Sequence, residues 1–285
     1  MEKISEQKLT GCLGGSMCRA NTLSIGIILT ALLITLTLIR PAQAAHPLIS
    51  DDTGTQGTGK FQLEVNGEYG SDREESQGIE TTERAVEAGV TLAYGASDTV
   101  DVIIGIPYLQ VEGRETDITI PASTLISEKG LSDVAVELKW RFFEREGLSM
   151  ALKPGISMPT GDEEKGLGAG KYGFGMFFIA TEEFKPLTFH QNIGYIRNSN
   201  RFDEREDIYH VSVACEYELV EGLRVVANIG QERNPDKASD RDPAFGLIGI
   251  IYAITEHIDV DGGVKIGITD PETDRTVLAG MAVRF

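Results

Sequence analysis

The chain has 285 residues, 41% of them hydrophobic and 25% charged, with 26 Lys and Arg against 44 Asp and Glu and a formal net charge of −18. So acidic a surface repels phosphate backbones and excludes a nucleic-acid partner.

In chain order, Lys3, Lys8 and Arg19 precede an uncharged apolar run from Leu23 to Ile39, and Ala42 and Ala44 follow at the spacing of a signal-peptidase site. Residues 1–44 are predicted to be a cleavable signal peptide, with Met17 as a second candidate start. A retained anchor is the alternative, but the 17 residues from Leu23 to Ile39 stand at the short limit for a spanning helix. Cleavage removes four basic residues (Lys3, Lys8, Arg19, Arg40) and two acidic ones (Glu2, Glu6), taking the net charge from −18 to −20. It also removes Cys12 and Cys18. The remaining Cys215 allows neither an internal disulfide nor a zinc site of thiolate pairs. No cofactor is expected. Residues 45–58 are predicted to be a periplasmic N-terminal segment, and 59–285 a single domain.

From there apolar and polar residues alternate with period two, the pattern of a strand with unlike faces. Phe61, Leu63, Val65 and Tyr69 open the series, followed by Val86–Tyr94 and Val100–Tyr108. The clearest segment sets Val134, Val136, Leu138, Trp140 and Phe142 against Asp133, Glu137, Lys139 and Arg141. Further segments centre on Met150–Ile156, Phe189–Tyr195, Tyr209–Tyr217, Leu223–Ile229, Ile258–Ile266 and Val277–Phe285. Two, near 172–182 and 244–254, are apolar on both faces and leave their register open. Twelve strands of roughly ten residues each suit a tilted bilayer crossing.

The connections sort by length. Those near 95–98, 144–147, 183–187, 219–222 and 255–257 are short; those near 70–82, 110–130, 159–171, 198–207, 231–243 and 268–275 are long. Five short and six long connections are the count for twelve strands with both termini on one side. Short periplasmic turns and longer external loops mark an up-and-down transmembrane β-barrel, an all-β antiparallel fold. Tyr94, Phe142, Tyr217 and Tyr252 near the short turns, and Tyr69, Tyr108 and Tyr195 near the long loops, suit two interfacial girdles. The last strand ends on Phe285, like the signal read by the bacterial outer-membrane assembly machinery. The expected partners are that machinery, outer-membrane lipid and lipopolysaccharide, and an unidentified small solute. The expected location is the bacterial outer membrane.

The run His46-Pro47-Leu48-Ile49-Ser50-Asp51-Asp52-Thr53-Gly54-Thr55-Gln56-Gly57 resembles the opening of outer-membrane transporters of the "MetA-pathway of phenol degradation" family. Three further segments are similar to the family: Gly130-Leu131-Ser132-Asp133 with Lys139-Trp140-Arg141-Phe142, Pro159-Thr160-Gly161-Asp162 with Gly168–Gly175, and the closing Ala279–Phe285. The resemblance spans nearly the whole mature chain. It implies transport of aromatic or other hydrophobic compounds and carries over no binding residues.

If the apolar faces meet lipid, the polar faces line the lumen. The candidate lining residues are Glu64, Glu68, Glu87, Asp101, Glu137, Lys139, Arg141, Lys153, His190, His210, Glu216, Arg224, Asp259, Asp261 and Lys265. Their mixed signs suit either a solvated narrow channel or a lumen closed by ion pairs. The acidic external loops offer carboxylates to Ca²⁺ or Mg²⁺, but without EF-hand spacing, and a solvated surface is the simpler reading. No catalytic or metal residues are assigned. His210 and Ser212 share a face, but that face points away from lipid, against a lipid-acting enzyme. Asn198-Ser199-Asn200-Arg201 resembles a phospholipase segment yet has Arg197 where a histidine belongs. Gly166–Lys171 lacks the spacing and following helix of a phosphate loop and reads as a flexible external loop.

Overall fold

The structure, a computed structural model, describes residues 46–76, 79–117 and 122–285. The predicted signal peptide lies outside the described residues. The strands are β1 (Phe61–Ser76), β2 (Ile79–Ser97), β3 (Val100–Asp117), β4 (Ala122–Leu131), β5 (Val134–Arg145), β6 (Leu148–Met158), β7 (Gly173–Phe184), β8 (Leu187–Arg197), β9 (Asp207–Val220), β10 (Leu223–Glu232), β11 (Ala244–Thr255), β12 (Ile258–Gly267) and β13 (Arg275–Arg284). Twelve of them form a closed antiparallel barrel, and β4 is the extra strand. β4 and β5 lie end to end along β3, which pairs β5 through 100–105 and β4 through 108–117.

Closure is made by the last strand on the first. Leu63 faces Val283 and Tyr69 faces Val277. The Phe61 amide donates to the Phe285 carbonyl at 2.7 Å and the Phe285 amide returns a bond at 3.0 Å. Their rings stack with centroids 5.7 Å apart.

The alternation read from the sequence maps onto the two faces. Val65, Val90, Ile106, Leu138, Trp140 and Val213 are exposed on the outside, while Glu64, Glu137, Lys139 and Ser212 are buried within. The expected girdle residues all stand outward, Tyr94, Phe142, Tyr217 and Tyr252 at one end and Tyr69, Tyr108 and Tyr195 toward the other. The five short connections are two-residue turns, all at one end. In one of them Glu146 and Gly147 both take positive φ, 51° and 83°, the geometry whose twist suits a tight hairpin.

Two expected loops are corrected. Residues 70–82 and 110–130 are largely strand: β1 and β2 stay paired as far as Ser76 and Ile79, and β3 and β4 pair from Tyr108–Leu131 to Asp117–Ala122. They extend past the partners that close the barrel, since β1 pairs β13 no further than Ser71. There the backbone ladder continues without an apolar outer face to repeat, so the period-two signal fades. The loop at 159–172 also differs from a flexible external loop. It turns inward, and Leu167 is buried against Leu109 and Val111.

The two strands with open register are now fixed. β7 buries Phe177 and Ile179 and exposes Phe174, Met176 and Phe178; β11 buries Phe245, Leu247 and Ile251 and exposes Ile248, Ile250 and Tyr252. Both are apolar inside because apolar groups await them there. Phe245, Leu247 and Ile251 pack with Val226, Ala214 and Leu278 around Leu48, which is wholly buried.

Candidate functional site

Leu48 belongs to a strap that runs through the barrel. Residues 45–58 are expected from the sequence on the periplasmic side. Instead, from His46 to Gln56 the chain crosses the interior, touching inward side chains of most strands. His46 hydrogen-bonds Asp261 on β12. Pro47 lies over Gly249 and Gly263, where an added Cβ would stand 2.7 and 3.1 Å from its ring. The Ile49 and Ser50 amides both donate to Oδ1 of Asn228 on β10, at 2.7 and 2.8 Å. The Ser50 hydroxyl donates to Ser212 on β9 at 2.8 Å. Asn192 on β8 accepts from the Asp51 amide and donates to its carbonyl, both at 2.8 Å. The Thr53 amide donates to Thr181 on β7 at 3.2 Å. The Gln56 amide then reaches the Asp101 carboxylate on β3, at 3.0 and 3.1 Å. At the turn end, the Thr58 hydroxyl and amide hold Asp98 below the usual carboxylate range. Side-chain amides, a hydroxyl and a carboxylate thus satisfy an extended backbone held outside the sheet.

The centre of the strap is Asp51, wholly buried. Lys139 on β5 donates to its Oδ1 at 2.8 Å and Lys153 on β6 to its Oδ2 at 2.6 Å. Glu137 stands 3.7 Å from Lys153, and Asp52 stands 3.9 Å from Lys139. One carboxylate on a strap therefore bridges two lysines on the wall. Lys153 also lies 6.0 Å from the Phe177 ring centroid.

The remaining candidates fall into three groups. The first is a polar ladder around the turn end. His190 lies 3.4 Å from Glu216, Glu216 accepts from Arg224 at 2.7 Å, Arg224 lies 3.6 Å from Asp259, and Asp259 accepts from Arg284 at 2.7 Å. Arg284 then donates to Gln62 at 2.8 Å, and Gln62 in turn bonds the buried Glu64. The links run from β8 round to β1, and His190, Glu216, Arg224, Asp259 and Arg284 each have an opposite charge within reach, while Glu64 is met by the Gln62 amide. In the second group, Arg141 shares the Asp98 carbonyl with Thr55 of the strap. Lys265 pairs with Glu272 at 2.6 Å, Glu68 faces Glu87 across β1 and β2, and Arg141 bonds the Asp98 carbonyl at 3.0 Å beside the turns. The third group is His210, 3.1 Å from Glu232 through Nδ1 and 3.0 Å from Ser212 through Nε2.

Asp51 and Ser50 of the strap and its neutral receptors Thr181, Asn192, Ser212 and Asn228 are missing from the sequence-based candidates, whereas its charged receptors Asp101, Lys139, Lys153 and Asp261 are among them. Neutral amides and hydroxyls on inward positions carry no charge signal. The signal that was present lay in the polar run after Leu48, too short and irregular for a strand. The family-like segments at 130–133, 159–162 and 168–175 also find a shared role. Asp133 accepts from the Gly161 and Ala169 amides at 2.9 and 2.8 Å, tying the inward loop to the junction of β4 and β5. A Cβ on Gly161 would meet the Leu167 carbonyl at 2.2 Å, and one on Gly168 would meet Asp133 at 2.3 Å.

The family model described as "MetA-pathway of phenol degradation" matches residues 50–285. No curated protein matches the chain. Several solved structures share its fold. The COG4313 outer membrane channel from Pseudomonas putida F1 is 10% identical, with a TM-score of 0.59 over 82% of this chain and 98% of its own. The transport unit of the autotransporter AIDA-I from Escherichia coli is also 10% identical, with a TM-score of 0.56 over 90% and 98%. The NanC porin is 11% identical, with a TM-score of 0.52 over 78% and 98%. At these identities the likeness is one of fold.

Proposed function

The chain belongs to the "MetA-pathway of phenol degradation" family, and from that membership we propose that it is a channel of the bacterial outer membrane for small solutes, held closed by its own N-terminal strap. A closed barrel with an apolar aromatic-ringed exterior suits lipid on every side. The observation that carries the transport reading is the interior. It carries many polar and charged groups beside the apolar clusters at Leu48 and Phe177, spans the barrel, and is obstructed by a segment joined to the wall through side chains rather than by a continuous ladder. Structural neighbours described as an outer membrane channel and a porin support the same reading. The candidate lining residues would set the electrostatics of the path. Phe285, at the closing seam, would be the end read by the assembly machinery. The solute class implied by the family description is aromatic or hydrophobic.

The test is flux through refolded protein in liposomes, with and without residues 46–56. Slow flux that rises when the strap is deleted supports a strapped channel. Silence in both forms favours the second reading, a closed structural or surface-interaction barrel, which the continuous ladder from His190 to Glu64 supports. A lipid-acting enzyme is disfavoured because Ser212 is buried inside and hydrogen-bonded to Ser50, with the barrel wall between it and lipid. Phospholipid hydrolysis that disappears in Ser212→Ala would restore that reading.

A further inference from the structure

We infer that Lys139 and Lys153 form a receptor for the carboxylate of a small organic acid, and that Asp51 occupies this receptor as an internal stand-in for the solute. The inference deepens the channel reading and rests on it for its route of access. Both lysines project from neighbouring wall strands and are almost completely buried. Their ammonium groups meet one carboxylate with one nitrogen to each oxygen, at 2.8 and 2.6 Å. The clamp belongs to the wall; only the carboxylate is supplied by the strap.

Two buried ammonium groups cannot readily be left without that carboxylate. Withdrawal of the strap alone therefore opposes itself. Withdrawal matched by entry of another carboxylate exchanges like for like, so a carboxylate opens a path that a neutral solute of the same shape does not. The charges around the clamp also set the valence of the guest. Asp52 leaves with the strap, while Glu137, 3.7 Å from Lys153, and the buried Asp101 stay on the wall. One carboxylate engages both lysines, so the receptor suits a guest with a single carboxylate, and a second anionic group would stand beside Glu137 and Asp101. Phe177 faces Lys153 across β6 and β7 and joins Ala151, Ile179, Ile196 and Ile208 in an apolar cluster. A guest held by its carboxylate at Lys153 would lay its body against that cluster. The class is an aromatic or branched aliphatic monocarboxylic acid, for which benzoate is the probe and benzamide its neutral counterpart.

The experiment uses the mature protein as wild type, Asp51→Asn and the double variant Lys139→Gln/Lys153→Gln, each checked for the folded barrel by heat-modifiable gel mobility. Influx of benzoate and benzamide into proteoliposomes is measured beside the unfolding midpoint in detergent with each compound. In the wild type benzoate should enter at least about ten times faster than benzamide, with saturation. Asp51→Asn should bind benzoate at least about tenfold more tightly, seen as a larger benzoate-dependent rise in midpoint. The double variant should lose both effects while benzamide behaves as before. Equal influx of the two compounds, together with a midpoint indifferent to benzoate in Asp51→Asn, overturns the receptor. If neither compound crosses in any variant, including one without residues 46–56, the channel reading falls by itself. The midpoint in Asp51→Asn then decides the receptor alone. Should the double variant fail to fold, Lys139→Gln carries the same comparison.

Discussion

Replacing Leu48 by alanine should loosen the strap without opening the barrel. Leu48 is fully enclosed by Ala214, Val226, Phe245, Leu247, Ile251 and Leu278. Truncating a leucine in such a site removes its transfer free energy and leaves a partly unrelaxed cavity, together about 3 kcal/mol. The wall strands keep their ladders, so the loss falls on the docked strap. At about 1.4 kcal/mol per decade, the undocked fraction should rise about 100-fold. A cysteine at Ser50, which is buried when docked, reports that fraction by its reaction rate with a membrane-impermeant maleimide in a Cys215→Ser background. Labelling should accelerate by a similar factor in Leu48→Ala, with the unfolding midpoint of the barrel little changed. A labelling rate within about threefold of the parent, in folded protein, would refute the argument that apolar burial of Leu48 holds the strap in place.

Other outcomes follow from the wall. A Cβ at Gly194 would lie 2.3 Å from the Phe177 ring, so Gly194→Ala should destabilise the barrel by about 1–3 kcal/mol; adding Phe177→Ala should recover part of that in a denaturant double-mutant cycle. Arg284→Met removes the hydrogen bonds to Asp259 and Gln62 and should lower unfolding free energy by about 1–3 kcal/mol in urea titrations, for want of a buried partner. Lys237→Ala breaks an exposed pair with Asp203 between external loops and should shift stability by less than about 1 kcal/mol; a larger shift would mean that the loops brace the barrel. Deleting Phe285 removes both backbone bonds to Phe61 and the ring stack. It should cut the yield of assembled protein in cells more than refolding into detergent.

The strands and their facing were legible because lipid imposes an apolar outer face on every wall segment, whatever stands inside. Trp140 and Phe142 outward, with Glu137 and Lys139 inward, needed no other information. The signal failed where that constraint lapses. Beyond the partners that close the barrel, the ends of β1, β2 and β3 and nearly all of β4 lack an alternating apolar outer face and read as loops. On β11, Leu247 and Ile251 face an apolar strap residue and erase the contrast. The candidate charges were found by type, but their grouping was not. Asp51 was absent because a carboxylate in an N-terminal run of small polar residues resembles any solvated tail. Its partners lie 88 and 102 positions away, a separation that one sequence does not reveal.

The strap also carries a consequence for the order of events during biogenesis. His46 meets a residue 215 positions downstream, and Ser50 one 178 positions downstream. The moorings of its first residues, Asn228 and Asp261, are made late in synthesis, although the strap itself is made early. Docking must therefore be a late step, limited by the long loops it closes. The strap leads directly into β1, one lip of the seam between the first and last strands. The strap and the seam are therefore coupled through the chain itself: closing the cylinder at that lip fixes where the strap must enter the interior.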